Sequence, residues 1–210
     1  MSWMIKLYGM HTREIERFAP ERLKGMMPQR YARSLKYRRK EDQLLCLGAG
    51  ILLHQVFGID EAELQYGPYG KPYVQGGAEF NISHGGQWVI AAMDSQPLGV
   101  DIEPICLDNL TVAQRVFTQA ENAFVQQAPL LHFHILWTMK ESIMKALGLG
   151  MQLDPLQFHV LPLGGPNVVC GKKWFTKWIT HDGCVIACAS EKQIEELEFQ
   201  KVIYEEDAYE

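Results

Sequence analysis

The chain of 210 residues has no long apolar run, no low-complexity tract and no surplus of basic side chains. Its longest apolar stretches, such as Leu44 to Leu53, are short and broken by glycine, whereas a membrane-spanning helix needs roughly 20 apolar residues. The N-terminal stretch MSWMIKLYGMHTREIERF has no apolar core behind a basic start, so no signal peptide is read and a soluble, cytoplasmic protein is expected. A formal net charge of −5 argues against a general nucleic-acid binder, which would carry a basic excess. The five cysteines (Cys46, Cys106, Cys170, Cys184 and Cys188) are odd in number and irregularly spaced, which does not suggest a disulfide framework or a zinc site. Cys184 and Cys188 sit in the run GCVIACA and read as small buried hydrophobes.

What is present is a hydrophobic fraction of 47%, enough for one core or for two small packed lobes. Met4 to Tyr8 reads as a strand, and Gln29 to Phe57 as one long helix with a basic first half and an apolar second half. Gly67 to Gly77 reads as loop. Phe80 to Ile82 and Trp88 to Met93 read as strands joined by the turn SerHisGlyGly, and Leu98 to Glu103 as a strand ended by Pro104. Short helices are expected over Val112 to Phe117 and Ala120 to Gln126, and a strong one over His132 to Leu149, stopped by Gly148 and Gly150. Further strands are expected near Phe158, near Trp174 and over Cys184 to Ala189, before an acidic tail. The chain also echoes itself. KEDQLLCLGAG (Lys40 to Gly50) resembles KESIMKALGLG (Lys140 to Gly150), and ISHGGQWVIAA (Ile82 to Ala92) resembles ITHDGCVIAC (Ile179 to Cys188). Chance likeness between apolar segments is the plain alternative, but two echoes in the same order and at nearly the same offset point to two similar lobes of about 100 residues.

Four segments carry chemistry. In GVDIE, Gly99 to Glu103, strand alternation places Asp101 and Glu103 on one face and Val100 and Ile102 on the other. Two adjacent carboxylates repel unless a cation or a proton lies between them, although a polar-out edge strand would explain the pentapeptide alone. In WTMKESIMKALG, Leu136, Met139, Ile143, Ala146 and Leu147 form an inward stripe, while Glu141 and Lys145 are four residues apart on a common face. Trp137, one turn earlier, is an unusual neighbour for a purely solvated pair. In FNISHGGQWVIAA, Ser83, His84 and two glycines can offer a hydroxyl, an imidazole and backbone N–H groups to a phosphate, or form only a hairpin turn. Arg30, Arg33 and Lys36 follow an i, i+3 spacing and can hold a dianionic phosphate, or be a solvated helix face.

Together these segments resemble the phosphopantetheinyl transferase family, whose signature is a (I/V)G(I/V)D(I/V)E strand followed by a W-x-x-K-E-(A/S)-x-x-K helix. FNISH, YGKPY (Tyr69 to Tyr73) and RRKED (Arg38 to Asp42) are also similar to that family, and the likeness is to the surfactin-synthetase-activating type. The resemblance implies an α+β fold of two pseudo-symmetric lobes, residues 1–104 and 105–210, each a small antiparallel sheet with a long helix, and an active site in the cleft between them. It implies that Asp101, Glu103 and Glu141 bind Mg2+, that Lys145 contacts the phosphates of coenzyme A, and that Ser83 and His84 touch its phosphate groups. Lys71 and Pro72 would meet the adenosine end, and Arg30 and Arg33 the 3'-phosphate. Where the family often has a further arginine for that phosphate, this chain has Leu44, Leu45 and Cys46, so part of that contact is either lost or supplied elsewhere, with Lys36 the candidate.

The expected reaction is transfer of the phosphopantetheine arm of coenzyme A to a serine of an acyl or peptidyl carrier protein, with release of 3',5'-ADP. Glu141, directly or through a metal-bound water, would take the serine proton, and Lys145 and His84 would stabilise charge. A Mg2+-dependent hydrolase of coenzyme A-like pyrophosphates could use the same acids, and a non-catalytic nucleotide-sensing module is a third reading. The covalently joined lobes need no dimer, so a monomer is expected. Peptide synthetases, polyketide synthases and fatty-acid synthase all contain possible carriers, with the surfactin-type likeness favouring the first.

Overall fold

The computed structural model describes residues 3–107 and 110–204; the acidic tail, 205–210, lies outside them. The elements run β1 (Met4–His11), α1 (Thr12–Ile15), α2 (Pro20–Met26), α3 (Pro28–Ser34), α4 (Lys40–Ile51), β2 (Leu64–Tyr66), β3 (Pro72–Val74), β4 (Glu79–Gly85), β5 (Trp88–Asp94) and β6 (Leu98–Pro104). They continue through α5 (Ala113–Val116), α6 (Gln119–Val125), α7 (Pro129–Leu147), β7 (Asn167–Val169), β8 (Lys172–His181), β9 (Cys184–Ser190) and β10 (Glu196–Lys201). One sheet has the order β10-β1-β5-β4 and the other β6-β9-β8-β7, with β2 and β3 forming a separate hairpin.

The layers follow from which residues each strand turns to which side. Along β5, Trp88, Ile90 and Ala92 face a core shared by the two sheets, while Val89 and Ala91 face α4. Along β9, Ile186 and Cys188 join the same shared core, while Val185, Ala187 and Ala189 face α7. Both strands are therefore buried on both faces, which is why they read as unbroken apolar runs. The result is four layers, α4, sheet, sheet, α7, and an α+β architecture of two similar halves. Each large side chain sealed in these cores contributes about 1.5–3 kcal/mol. Cys184 and Cys188 are free and buried in the shared core, and burial pushes both thiols up, that of Cys184 to about 11.

The two sequence echoes occupy matching places. The β4–β5 and β8–β9 hairpins correspond, as do β1 and β6, each antiparallel to the second strand of its hairpin. Their turns share a left-handed glycine, Gly86 at φ 56° and Gly183 at φ 72°. The sheets, however, do not divide the chain at Pro104. β6, from the first half, pairs with β9, and β10, from the second half, pairs in parallel with β1.

Several local expectations change. The segment 29–57 is not one helix: Ser34 Oγ donates to Tyr31 O (2.7 Å) and closes α3, and the chain re-enters a helix only after Arg39, whose ψ of 136° is extended. A continuous helix here would crowd four cations, Lys36, Arg38, Arg39 and Lys40, into about one turn, with Arg39 and Lys40 facing Lys36 at i+3 and i+4. The expected loop 67–77 contains β3. Ser83, His84 and Gly85 lie on β4 rather than in a turn, which consists of Gly86 and Gln87. No strand includes Phe158, while β7 and β10 arise unannounced. α7 begins at Pro129, a residue suited to the first helical position, and ends at Gly148 with φ 69°. Among the described residues, no helix is long and apolar enough to cross a membrane.

Candidate active site

Leu98, Val100 and Ile102 of β6 enter the shared core, so Gly99, Asp101 and Glu103 face α7. Strand and helix approach closely at Gly99. A Cβ there would lie 2.9 Å from Ala146 Cα, and closer still to Ser142 O and Ala146 N. Only glycine permits that approach, and it brings Glu141 and Lys145 of α7 to the acids of β6. The other sheet contributes from β4. Asn81 Oδ1 accepts Val100 N–H (2.9 Å), fixing β4 against β6, and Ser83 Oγ donates to Asp101 Oδ1 (2.9 Å).

Lys145 is the hub. Its Nζ donates to Ser83 Oγ (2.8 Å) and forms a short ion pair with Asp101. Burial works against the Lys145 ammonium, but Asp101, Glu141 and Glu103 outweigh it and hold the group above the usual lysine range. Lys145 thus pairs with the strand acid rather than with Glu141 along its own helix. Burial, reinforced by the Asp101 charge, pushes Glu103 up to about 7, opposed by Lys145 and by Trp137 Nε1, which donates to Glu103 Oε1 (3.3 Å). That hydrogen bond explains why Trp137 stands beside the acids. Burial and Asp101 also raise Glu141, against the pull of Lys145. Desolvation and then the Lys145 charge lower His84, with Asp101 and Asp42 opposing.

Beside this cluster lies a cavity of about 190 Å³ lined by Tyr69, Lys71, Pro72, Asn81, Lys145 and Gly148, among others. Lys71 and Pro72 therefore share a wall with Lys145. Lys71 Nζ donates to Ala146 O (2.8 Å) and lies 3.6 Å from Glu79 Oε2, while burial lowers its affinity for a proton. Arg30 and Arg33 line a second cavity, of about 230 Å³, with Gln29, Glu61, Leu64 and Tyr66. There Glu61 accepts from Gln29 N (2.8 Å) and Arg30 N (2.6 Å), and Arg30 Nη1 donates to Cys46 O (3.3 Å). Lys36 does not join them. It is exposed beyond the end of α3 and lines neither cavity.

The segment 97–189, which holds the β6 acids, α7 and the β8–β9 hairpin, matches the family model of the 4'-phosphopantetheinyl transferase superfamily. The chain is also 32% identical over 170 residues to 4'-phosphopantetheinyl transferase Sfp of Bacillus subtilis (strain 168), covering 74% of this chain and 76% of the relative. The chain belongs to the 4'-phosphopantetheinyl transferase superfamily. Other similar members are the 4'-phosphopantetheinyl transferase gsp of Aneurinibacillus migulanus, 36% identical over 114 residues (51% of this chain, 48% of the relative), and the phosphopantetheinyl transferase of Thraustochytrium sp., 27% identical over 181 residues (71% and 61%).

In this phosphopantetheinyl transferase, among the described residues, no three His, Cys, Asp or Glu side chains form a ready metal cluster; the cation amid the acids is Lys145. The donor set nevertheless fits a hard ion. Asp101 Oδ2 is buried without a hydrogen-bond partner, and two neighbouring carboxyls are raised by burial and then by the Asp101 charge, which a cation would offset. Sequence reasoning passed over Asn81, Lys140 and Glu121. Asn81 lay inside the FNISH motif, and Lys140 interrupted the apolar stripe of α7, a charged residue at a core position that must be paired.

Proposed function

We propose that this protein transfers the 4'-phosphopantetheine moiety of coenzyme A to a serine of an acyl or peptidyl carrier protein, releasing 3',5'-ADP in a Mg2+-dependent reaction. The observation that carries the reading is the Lys145 ammonium held between Ser83 and Asp101, ringed by Glu103 and Glu141, on a cavity wall shared with Lys71 and Pro72. A cation-lined cavity suits a diphosphate, and the acids suit a divalent ion.

Asp101, Glu103 and Glu141 would hold the Mg2+, which when bound neutralises the diphosphate and its leaving group. The carrier serine oxygen attacks the phosphorus on the pantetheine side, and the bond from that phosphorus to the bridging oxygen breaks. Glu141 takes the serine proton. Lys145 and His84 hold the transferred phosphoryl oxygens. Lys71 and Pro72 receive the adenosine end, and Arg30 and Arg33 the 3'-phosphate. One chain supplies every group, so the protein works as a monomer. Incubating it with coenzyme A, Mg2+ and apo-carrier proteins should add one phosphopantetheine mass to the carrier. Glu141→Gln should abolish that gain while keeping the fold. Coenzyme A consumed without any carrier mass gain would refute the proposal.

A further inference from the structure

Beneath the helix that presents Glu141 and Lys145 lies an ion pair that no role above uses. Lys140 and Glu121 are both fully buried, with Lys140 Nζ 2.9 Å from Glu121 Oε2. The lysine spends its other protons on Pro155 O (2.6 Å) and Phe158 O (2.7 Å), and its ammonium lies 4.8 Å from the centre of the Phe158 ring. Glu121 Oε2 also accepts from Thr118 N (2.9 Å) and Thr118 Oγ1 (3.0 Å), and Oε1 accepts from Val160 N (2.9 Å). Every donor of the lysine and both oxygens of the glutamate are thus engaged.

Burying two charges is costly, and an apolar pair of similar volume often holds a fold as well or better. A complete buried network instead fixes one arrangement. Here the arrangement is the rotation of α7. Lys140 precedes Glu141, and successive helical residues are about 100° apart. Lys140 therefore points into the α6 and 155–160 side of the helix while Glu141 and Lys145 point at β6. We propose that the Lys140–Glu121 pair is a positioning device, locking α7 at the rotation that brings Glu141 and Lys145 onto Asp101 and Glu103. Slippage of even part of a residue would open the acid set without unfolding the helix. The inference rests on the transferase reading.

The test compares wild type with the apolar double variant Lys140→Met/Glu121→Met. Four quantities are read: melting temperature, coenzyme A affinity by calorimetry in EDTA, Mg2+ affinity by calorimetry on the coenzyme A complex, and carrier-loading kcat. Supporting partners of metal ligands typically affect metal affinity or activity about 10- to 100-fold. The double variant is therefore expected to melt near the wild type and to bind coenzyme A within about threefold. Its Mg2+ affinity and carrier-loading kcat should both fall by about tenfold or more. A double variant with Mg2+ affinity and kcat within about twofold of wild type would reduce the pair to a stabilising role and overturn the proposal. Should the double variant fail to fold, Thr118→Val, which removes the hydroxyl that donates to Glu121 Oε2 (3.0 Å) and caps α6 by accepting Glu121 N–H (3.4 Å), is read instead. It should weaken Mg2+ binding several-fold with a small drop in melting temperature, and unchanged Mg2+ binding would overturn the proposal. A wild-type protein that loads no carrier defeats the transferase reading instead, so the two failures are distinct.

Discussion

Replacing Gly99 with alanine tests the packing on which the site stands. The added methyl would sit 2.9 Å from Ala146 Cα and nearer still to Ser142 O and Ala146 N, whereas carbon atoms rest at about 3.5–4.0 Å. The obstacles are helix backbone, so no side chain can swing aside. β6 and α7 must part by roughly an ångström, and overpacking of this kind costs about 1–3 kcal/mol. The chemical loss should be larger, because a misplacement of about 1 Å in a site can cost about a hundredfold in rate. Gly99→Ala should therefore remain folded, with a lowered midpoint in urea, and lose about two orders of magnitude in carrier loading. Gly25→Ala is the control. Gly25 has no atom within 4 Å of its would-be Cβ, so alanine in α2 should be neutral or stabilise by about 0.5–1 kcal/mol. A Gly99→Ala protein with wild-type midpoint and wild-type loading would refute the claim that this contact sets the site.

Glu103 should make the metal-free protein pH-sensitive. With its carboxyl at about 7 when folded and 4.5 when unfolded, the native state holds a proton that the unfolded chain has lost, so stability falls as pH rises from 4.5 to 7. Glu103→Gln removes this penalty, up to roughly 3 kcal/mol, so in EDTA the variant should match wild type near pH 4.5 and exceed it at pH 8; equal gains at both pH values would contradict the assignment. Lys145→Met strands the buried Asp101 charge and should cost about 3–5 kcal/mol in denaturant unfolding, and a loss below about 1 kcal/mol would mean the pair is solvated. His84→Ala should weaken coenzyme A binding in calorimetry, and an unchanged affinity would remove the phosphate contact.

Much of the site was legible because its signals are local. The alternation of GVDIE alone sends Asp101 and Glu103 to one face, and the helical stripe of Leu136, Met139 and Ile143 turns Glu141 and Lys145 away from the core. The echoes also translated directly into matching hairpins. What was not legible depends on distant partners. Nothing near Lys145 in sequence selects Asp101 over Glu141, since Gly99 decides it by letting β6 sit against the helix backbone. The spacing of Arg30, Arg33 and Lys36 implied a shared face only while the helix continued, and the chain leaves it after Ser34. Asn81 works through the backbone of Val100, a role that no residue-type pattern announces.

The exchange of β6 and β10 between the halves has a practical corollary. Cut near Leu107, the chain would yield two fragments, each missing an edge that the other carries: the N-terminal piece lacks β10, and the C-terminal piece lacks β6. Neither could finish its sheet alone, and β6 in isolation would expose Leu98, Val100 and Ile102 to water. The fragments should therefore recombine as a split pair, with activity returning only on mixing. For the same reason, a ribosome-bound chain cannot complete its first sheet until residues 196–201 have emerged.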